Sequence, residues 1–133
     1  MMVVLDTNTV IYYFRGEGNV AERLLACRPD EVALPAVVVY ELETGIRKAP
    51  RANRRRAQLQ RLLDVVAVLP FDRAAAIEAA AIRAELEAIG TPIGPMDTLI
   101  AATARAVGGV LVTRNVREFG RVPGLRVESW YAE

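Results

Sequence analysis

Four acidic residues stand in apolar surroundings where a folded chain has little ordinary use for them. Asp6 closes the run Val3-Val4-Leu5, Glu41 and Asp97 interrupt apolar stripes of helical spacing, and Glu118 follows a second apolar run, Val110-Leu111-Val112-Thr113. A carboxylate withdrawn from water and left unpaired takes up a proton, so acids in such places are paired or bound to a metal ion. The chain contains no histidine, and its one cysteine, Cys27, cannot build a thiolate site alone. The partner that suits such oxygen ligands is a hard divalent cation, Mg²⁺ or Mn²⁺.

Each acid taken alone has an ordinary structural explanation. On a helix beginning at Pro35, positions 37, 38, 41, 42 and 45 share one face, which puts Glu41 among Val37, Val38, Leu42 and Gly45. It could equally be a half-exposed helix residue. On a helix beginning at Met96, Asp97 shares its stripe with Ile100, Ala101 and Ala104. It also lies in the first turn, where a negative charge favours the helix dipole. Asp6 could be a cap after a strand. The joint pattern is more specific than its parts.

These acids need a frame. Val3 to Leu5 is short, continuously apolar and rich in β-branched residues, as a central parallel strand buried on both faces would be. Asp6-Thr7-Asn8 caps a helix over Thr9 to Phe14, broken by Gly16 and Gly18, and a further helical stretch runs from Val20 to Cys27. Val32 to Leu34 reads as a second strand, with Pro35 at the first position of a helix reaching about Lys48. Arg51 to Val66 carries Ala57, Leu59, Leu62, Leu63 and Val66 beneath a basic face and reads as amphipathic. A strand over Val66 to Leu69, an Ala-rich helix capped by Asp72 and ending near Gly90, and a helix over Met96 to Val107 follow. Val110 to Thr113 is the next strand, and Arg126 to Glu128 an edge strand. Strands alternating with helices predict an α/β fold with a parallel sheet. In such a sheet a site lies at the carboxyl ends of the strands, where Asp6 and the residues after Thr113 fall.

The length of 133 residues suits one domain, and 53% hydrophobic with 25% charged residues suits a compact core. A formal charge of +1 excludes a globally basic coat, so affinity for a polyanion must come from local clusters of arginine or from bound metal. Sixteen of the seventeen basic residues are arginine, which suits phosphate recognition. Arg54-Arg55-Arg56, with Arg51 and Arg61, is either a track for a polyanion or a solvated helix face. One cysteine excludes an internal disulfide framework, and no cationic leader or spanning apolar stretch is visible. We expect a cytoplasmic protein that does not enter the membrane.

The segments Val-Leu-Asp6-Thr7-Asn8, Val39-Tyr40-Glu41-Leu42-Glu43-Thr44-Gly45, Pro95-Met96-Asp97-Thr98-Leu99-Ile100-Ala101-Ala102 and Val112-Thr113-Arg114-Asn115-Val116-Arg117-Glu118-Phe119, with the tail Val122-Pro123-Gly124-Leu125, resemble in order and spacing a PIN-domain ribonuclease of the VapC toxin type. The likeness spans nearly the whole chain. It implies one PIN-like domain over residues 1–133, a twisted parallel sheet of four to five strands flanked by helices, and metal-dependent cleavage of RNA. It also implies a VapB-like antitoxin partner and a homodimer or antitoxin hetero-oligomer. Carried over by position, Asp6, Glu41 and Asp97 become the central acids and metal ligands. The fourth position is open between Glu118, binding metal directly or through water, and Asn115, supplying a neutral oxygen or orienting phosphate.

Without histidine or a well-placed lysine, the acid–base pair of a metal-free ribonuclease and a nucleophilic triad are both missing, which leaves the chemistry to the cation. Water as nucleophile would leave a 5′-phosphate and a 3′-hydroxyl. Thr7 and Thr113 are candidates for holding water or a phosphate oxygen, or else ordinary caps. Arg114 and Arg117, beside the site, are candidates for phosphate contact. Tyr12, Tyr13 and Phe14 could pack an interface with a second copy or an antitoxin, or the core. A haloacid-dehalogenase-like phosphotransferase would need an aspartate where Asn8 stands, and a nucleotide-binding Rossmann unit a glycine-rich turn after the first strand. The competing reading that survives is a non-catalytic PIN-fold subunit acting mainly as an antitoxin-binding co-repressor on DNA.

Overall fold

The computed structural model describes residues 1–133. Five parallel strands form one sheet: β1 (Val3–Leu5), β2 (Val32–Pro35), β3 (Ala67–Leu69), β4 (Val110–Val112) and β5 (Arg126–Glu128), in the order β3-β2-β1-β4-β5. The helices are α1 (Thr7–Arg15), α2 (Val20–Leu25), α3 (Ala36–Lys48), α4 (Asn53–Leu63), α5 (Arg73–Ala88), α6 (Pro95–Ala106) and α7 (Val116–Phe119). The first three strands step outward in one direction, then the chain returns across β1 to lay β4 on its other side. Strand order therefore reverses between β1 and β4, the kind of crevice where α/β sheets hold ligands. Leu5 is in register with Val112, so Asp6 and Thr113 leave the sheet side by side.

Strand composition follows position. The interior strands β1, β2 and β4 carry Val4, Leu5, Val32, Ala33, Leu34, Leu111 and Val112, each under 2% exposed. The edges differ: β3 exposes Val68, and β5 turns Arg126 and Glu128 to solvent, charges that discourage pairing with another sheet. Helix α6 buries Thr98, Ile100, Ala101, Ala102, Thr103 and Ala104, positions all round its axis, because it packs against α5 while also meeting α3, β2 and β4. Arg105 locks its far end, donating to Glu78 at 2.6 Å and to the Pro123 carbonyl at 2.9 Å.

The structure departs from the sequence expectation at boundaries. Pro35 ends β2 rather than opening the helix. The ladder from β2 to β1 stops at Ala33 while that to β3 continues through Pro35, so the missing proline N–H falls beyond the β1 pairing. Helix α4 starts at Asn53 because Arg51 is in the left-handed region at φ 57°. Helix α6 takes Pro95 as its first residue, α2 stops at Leu25, and β3 starts at Ala67. Two short elements were not expected, a 3₁₀ turn at Pro29–Glu31 and the four-residue α7. Neither is long enough to show a hydrophobic period.

Leu111 has no exposed surface and sits on a strand paired on both sides. Leu111→Ala should lower the unfolding free energy by about 2–5 kcal/mol. Urea denaturation should show the midpoint falling with little change in slope; a shift under about 1 kcal/mol would contradict this packing.

Candidate acidic active site

Asp6 follows β1 and caps α1. One carboxylate oxygen accepts the Thr9 N–H at 2.8 Å, and only 5% of the residue is exposed. Burial raises its carboxyl above the ordinary range, hydrogen bonds from Thr113 and Thr9 work against that rise, and the charge of Glu41 adds to it. Thr113, at the end of β4, has no exposed surface, and its hydroxyl also accepts the Asn115 N–H at 3.0 Å. The Thr9 hydroxyl crosses to the Val112 carbonyl at 3.1 Å, stitching α1 to the end of β4. Thr9 was not singled out from the sequence, because an aspartate cap accepts the backbone N–H at that position whatever side chain stands there.

Glu41 projects half-buried from α3, and one of its oxygens accepts the Thr7 hydroxyl at 2.5 Å. Thr7 thereby orients an acid. Asp97 lies in the first turn of α6, after an N-cap, Gly94, that has no side chain to offer. Its carboxyl is pushed up to about 6, first by burial, then by the charges of Glu118, Glu41 and Asp6 in that order. Glu118, on α7, accepts the Asn115 side-chain amide at 2.7 Å. The two candidates for the fourth position are thus one hydrogen-bonded unit.

The fold brings Asp6, Glu41, Asp97 and Glu118 within one another's electrostatic reach although they come from four separate elements. None of them takes part in any of the nine ion pairs of the chain. An all-oxygen, anionic, unpaired set fits a hard divalent cation. As the side chains stand, no three of them are drawn together closely enough to hold one ion, the spacing expected of like charges that repel. Beside Asp6 an open cleft of about 300 Å³ is lined by Asn8, Tyr12, Arg114 and Asn115. Arg117 is exposed on α7. The aromatic cluster divides: Phe14 is buried in the core, while Tyr12 meets Tyr131 edge to face at 4.7 Å.

A family model for the PIN domain matches residues 3–125. Over 127 residues, 96% of both chains, the sequence is 36% identical to the tRNA(fMet)-specific endonuclease VapC of Salmonella typhimurium. The chain belongs to the VapC group of PIN-domain proteins. It is also 30% identical over 132 residues, 98% of both chains, to ribonuclease VapC2 of Rickettsia felis. The PIN fold described above superposes with a TM-score of 0.90 on the crystal structure of DNA-bound VapBC from Salmonella typhimurium, at 37% identity and covering 98% of each chain. It superposes equally, at 0.90 and 30% identity, on VapBC2 from Rickettsia felis bound to a promoter DNA fragment, covering 98% of this chain and 99% of that one.

The raised Asp97 carboxyl makes the stability of this PIN domain depend on pH. The folded chain holds that proton to about pH 6, while an unfolded aspartate loses it near 3.8, so Asp97 costs stability progressively as pH rises between those values. Asp97→Asn should remove the cost. In chelator-containing buffer we expect the variant to exceed the parent by on the order of 1 kcal/mol above pH 6, after discounting for solvent screening at a half-exposed group, with the gain fading toward pH 4. Losing a helix-start charge alone predicts a loss of about 0.3–1 kcal/mol instead. Thermal melts across this pH range decide between them.

Proposed function

We propose that this chain is the ribonuclease toxin of a toxin–antitoxin pair, a cytoplasmic endonuclease hydrolysing RNA phosphodiester bonds with Mg²⁺, or Mn²⁺ in its place. One observation carries the reading: the charges of Glu118, Glu41 and Asp6 all bear on Asp97 beside the switch point of the sheet, in a chain 36% identical to a named endonuclease over 96% of its length. Residues 1–133 act in it as one PIN-like domain.

Asp6, Glu41 and Asp97 would hold the cation, with Glu118 as a fourth group. When bound, the ion supplies a polarised water and charge neutralisation at the phosphate. The protein's own contribution is orientation. Thr7 aims Glu41, Thr9 and Thr113 aim Asp6, and Asn115 aims Glu118. Arg117, exposed on α7, and Arg114, on the cleft rim, offer guanidinium groups to the phosphates on either side of the scissile bond. The neutral donors fix the carboxylates without cancelling their charge, as a cation site requires. Attack by water sends the leaving electrons to the 3′ oxygen, giving 3′-hydroxyl and 5′-phosphate ends.

The partner follows from the relatives. The two structures superposed above are of toxin–antitoxin complexes on DNA, so we infer a VapB-like antitoxin for this chain and a hetero-oligomer that occupies its own promoter. No helix is long and apolar enough to cross a membrane.

Purified protein should cleave RNA with Mg²⁺ or Mn²⁺ and stop with chelator, and ligation-based mapping should find 5′-phosphate ends. Asp6→Asn, Glu41→Gln and Asp97→Asn should each lower the rate by roughly 10²-fold or more while remaining folded, the scale seen when a group acting on developing charge is removed. Full cleavage in chelator, or 2′,3′-cyclic phosphate ends, would overturn the mechanism.

A further inference from the structure

Arg114 does not reach freely into solvent from the rim of the acidic cleft. Its guanidinium carbon lies over the Tyr131 ring, 3.7 Å from the centroid, with the Tyr12 ring 5.6 Å away on the helix that Asp6 caps. The edge of the same group is taken by Glu133, with Nε and Nη2 each donating to a separate carboxylate oxygen at 2.9 Å. This is the two-pronged geometry that a guanidinium also uses for phosphate. The pair is accessible: 39% of the Arg114 side chain and 69% of the Glu133 side chain are exposed.

The segment that delivers Glu133 is anchored. Trp130 is buried and donates its ring N–H to Glu128 at 2.9 Å, and the Ala132 N–H reaches the Gly18 carbonyl at 2.8 Å. Tyr131 presses so closely on Gly18 that any Cβ there would lie 2.4 Å from its ring. Anchors at Trp130 and Ala132 fix the Tyr131 ring, and with it the seat of Arg114. Glu133 itself is held only through Arg114.

We propose that Arg114, stacked on Tyr131 and Tyr12, is a phosphate clamp for the RNA strand entering the cleft, and that Glu133 is an intramolecular stand-in for that phosphate which the RNA displaces. The assignment rests on the ribonuclease reading above, in which Arg114 already meets phosphate, and adds to it the aromatic seat of Arg114 and a built-in competitor. It follows from position and geometry together. Arg114 lines the same cleft as Asp6 and Asn115, its aromatic seat keeps the guanidinium over the Tyr131 ring when the carboxylate leaves, and a phosphodiester offers the same pair of oxygens. The Tyr131 ring persists beneath it, so exchange costs one exposed ion pair rather than a rearrangement of the fold.

The test uses the full chain and a short fluorescent single-stranded RNA. Binding is measured by anisotropy in Ca²⁺ buffer, and cleavage kinetics are measured separately in Mg²⁺. Glu133→Gln should tighten RNA binding and lower KM about two- to fivefold, the range an exposed ion pair supports, with the effect in KM rather than kcat. Arg114→Ala should weaken binding by a similar or larger factor and reduce the slope of log affinity against log salt by about one phosphate's worth. Arg114→Lys should recover part of it, because it keeps the charge and loses the fork. In the Arg114→Ala background Glu133→Gln should have no further effect. Unchanged or weaker RNA binding by Glu133→Gln, with an unchanged melting temperature, overturns the clamp while leaving the nuclease intact. A parent protein that neither binds nor cleaves any RNA removes the nuclease reading and the clamp with it.

Discussion

Like charges brought within one another's electrostatic reach are the constraint on which this architecture turns. Glu118, Glu41 and Asp6 act on Asp97, which keeps its proton to about pH 6, and Glu41 acts on Asp6, whose carboxyl burial also raises. A fold can impose such crowding only if the elements carrying the acids cannot yield. Asp6 is fixed by a strand buried on both faces, and Asp97 by a helix with buried side chains all round its axis, locked at its far end by Arg105. The ion pairs of the chain lie elsewhere, Arg105 with Glu78, Arg56 with Glu43 and Arg114 with Glu133 among them.

What holds the acids in direction is a set of neutral donors. Thr7 serves Glu41, Thr9 and Thr113 serve Asp6, and the Asn115 amide serves Glu118. A lysine or arginine beside these acids would cancel charge that a metal ion needs. Hydroxyls and amides orient a carboxylate while leaving its charge largely uncompensated. Asp97 is raised to about 6 with no hydrogen bond acting against the rise, so a bound cation would relieve it directly. The candidate site is thus destabilising by itself, and the surrounding core offsets it.

The interior strands and the long helices could be read from the sequence because their patterns answer to burial. Val3 to Leu5 and Val110 to Val112 are continuously apolar because both faces are covered, and α5 is long enough to show its period. The acids were visible for the same reason, as breaks in those patterns. Strand order was not, since pairing β1 with β4 joins residues more than a hundred positions apart and leaves no local trace. Nor was the exact work of the polar groups. Thr7 and Thr113 stood out as candidates for water or phosphate, whereas their hydroxyls turn inward on Glu41 and on Asp6 with Asn115. The setting of Arg114 was equally hidden, because Tyr12, Tyr131 and Glu133 meet it only through the packing of the last residues on the corner between α1 and α2. Boundaries slipped wherever one dihedral decided them, as at Arg51.

The central claim, that this crowding exists to receive a cation, is open to direct measurement. Mn²⁺ titrated into the protein at neutral pH and followed by electron paramagnetic resonance counts bound ions without reference to any substrate. The account predicts saturable binding of one or two ions per chain, competed by Mg²⁺, weakened by acid below about pH 6 and largely lost when Asp6 and Asp97 are both replaced by asparagine. Binding that never saturates, or that survives the double replacement undiminished, would contradict it.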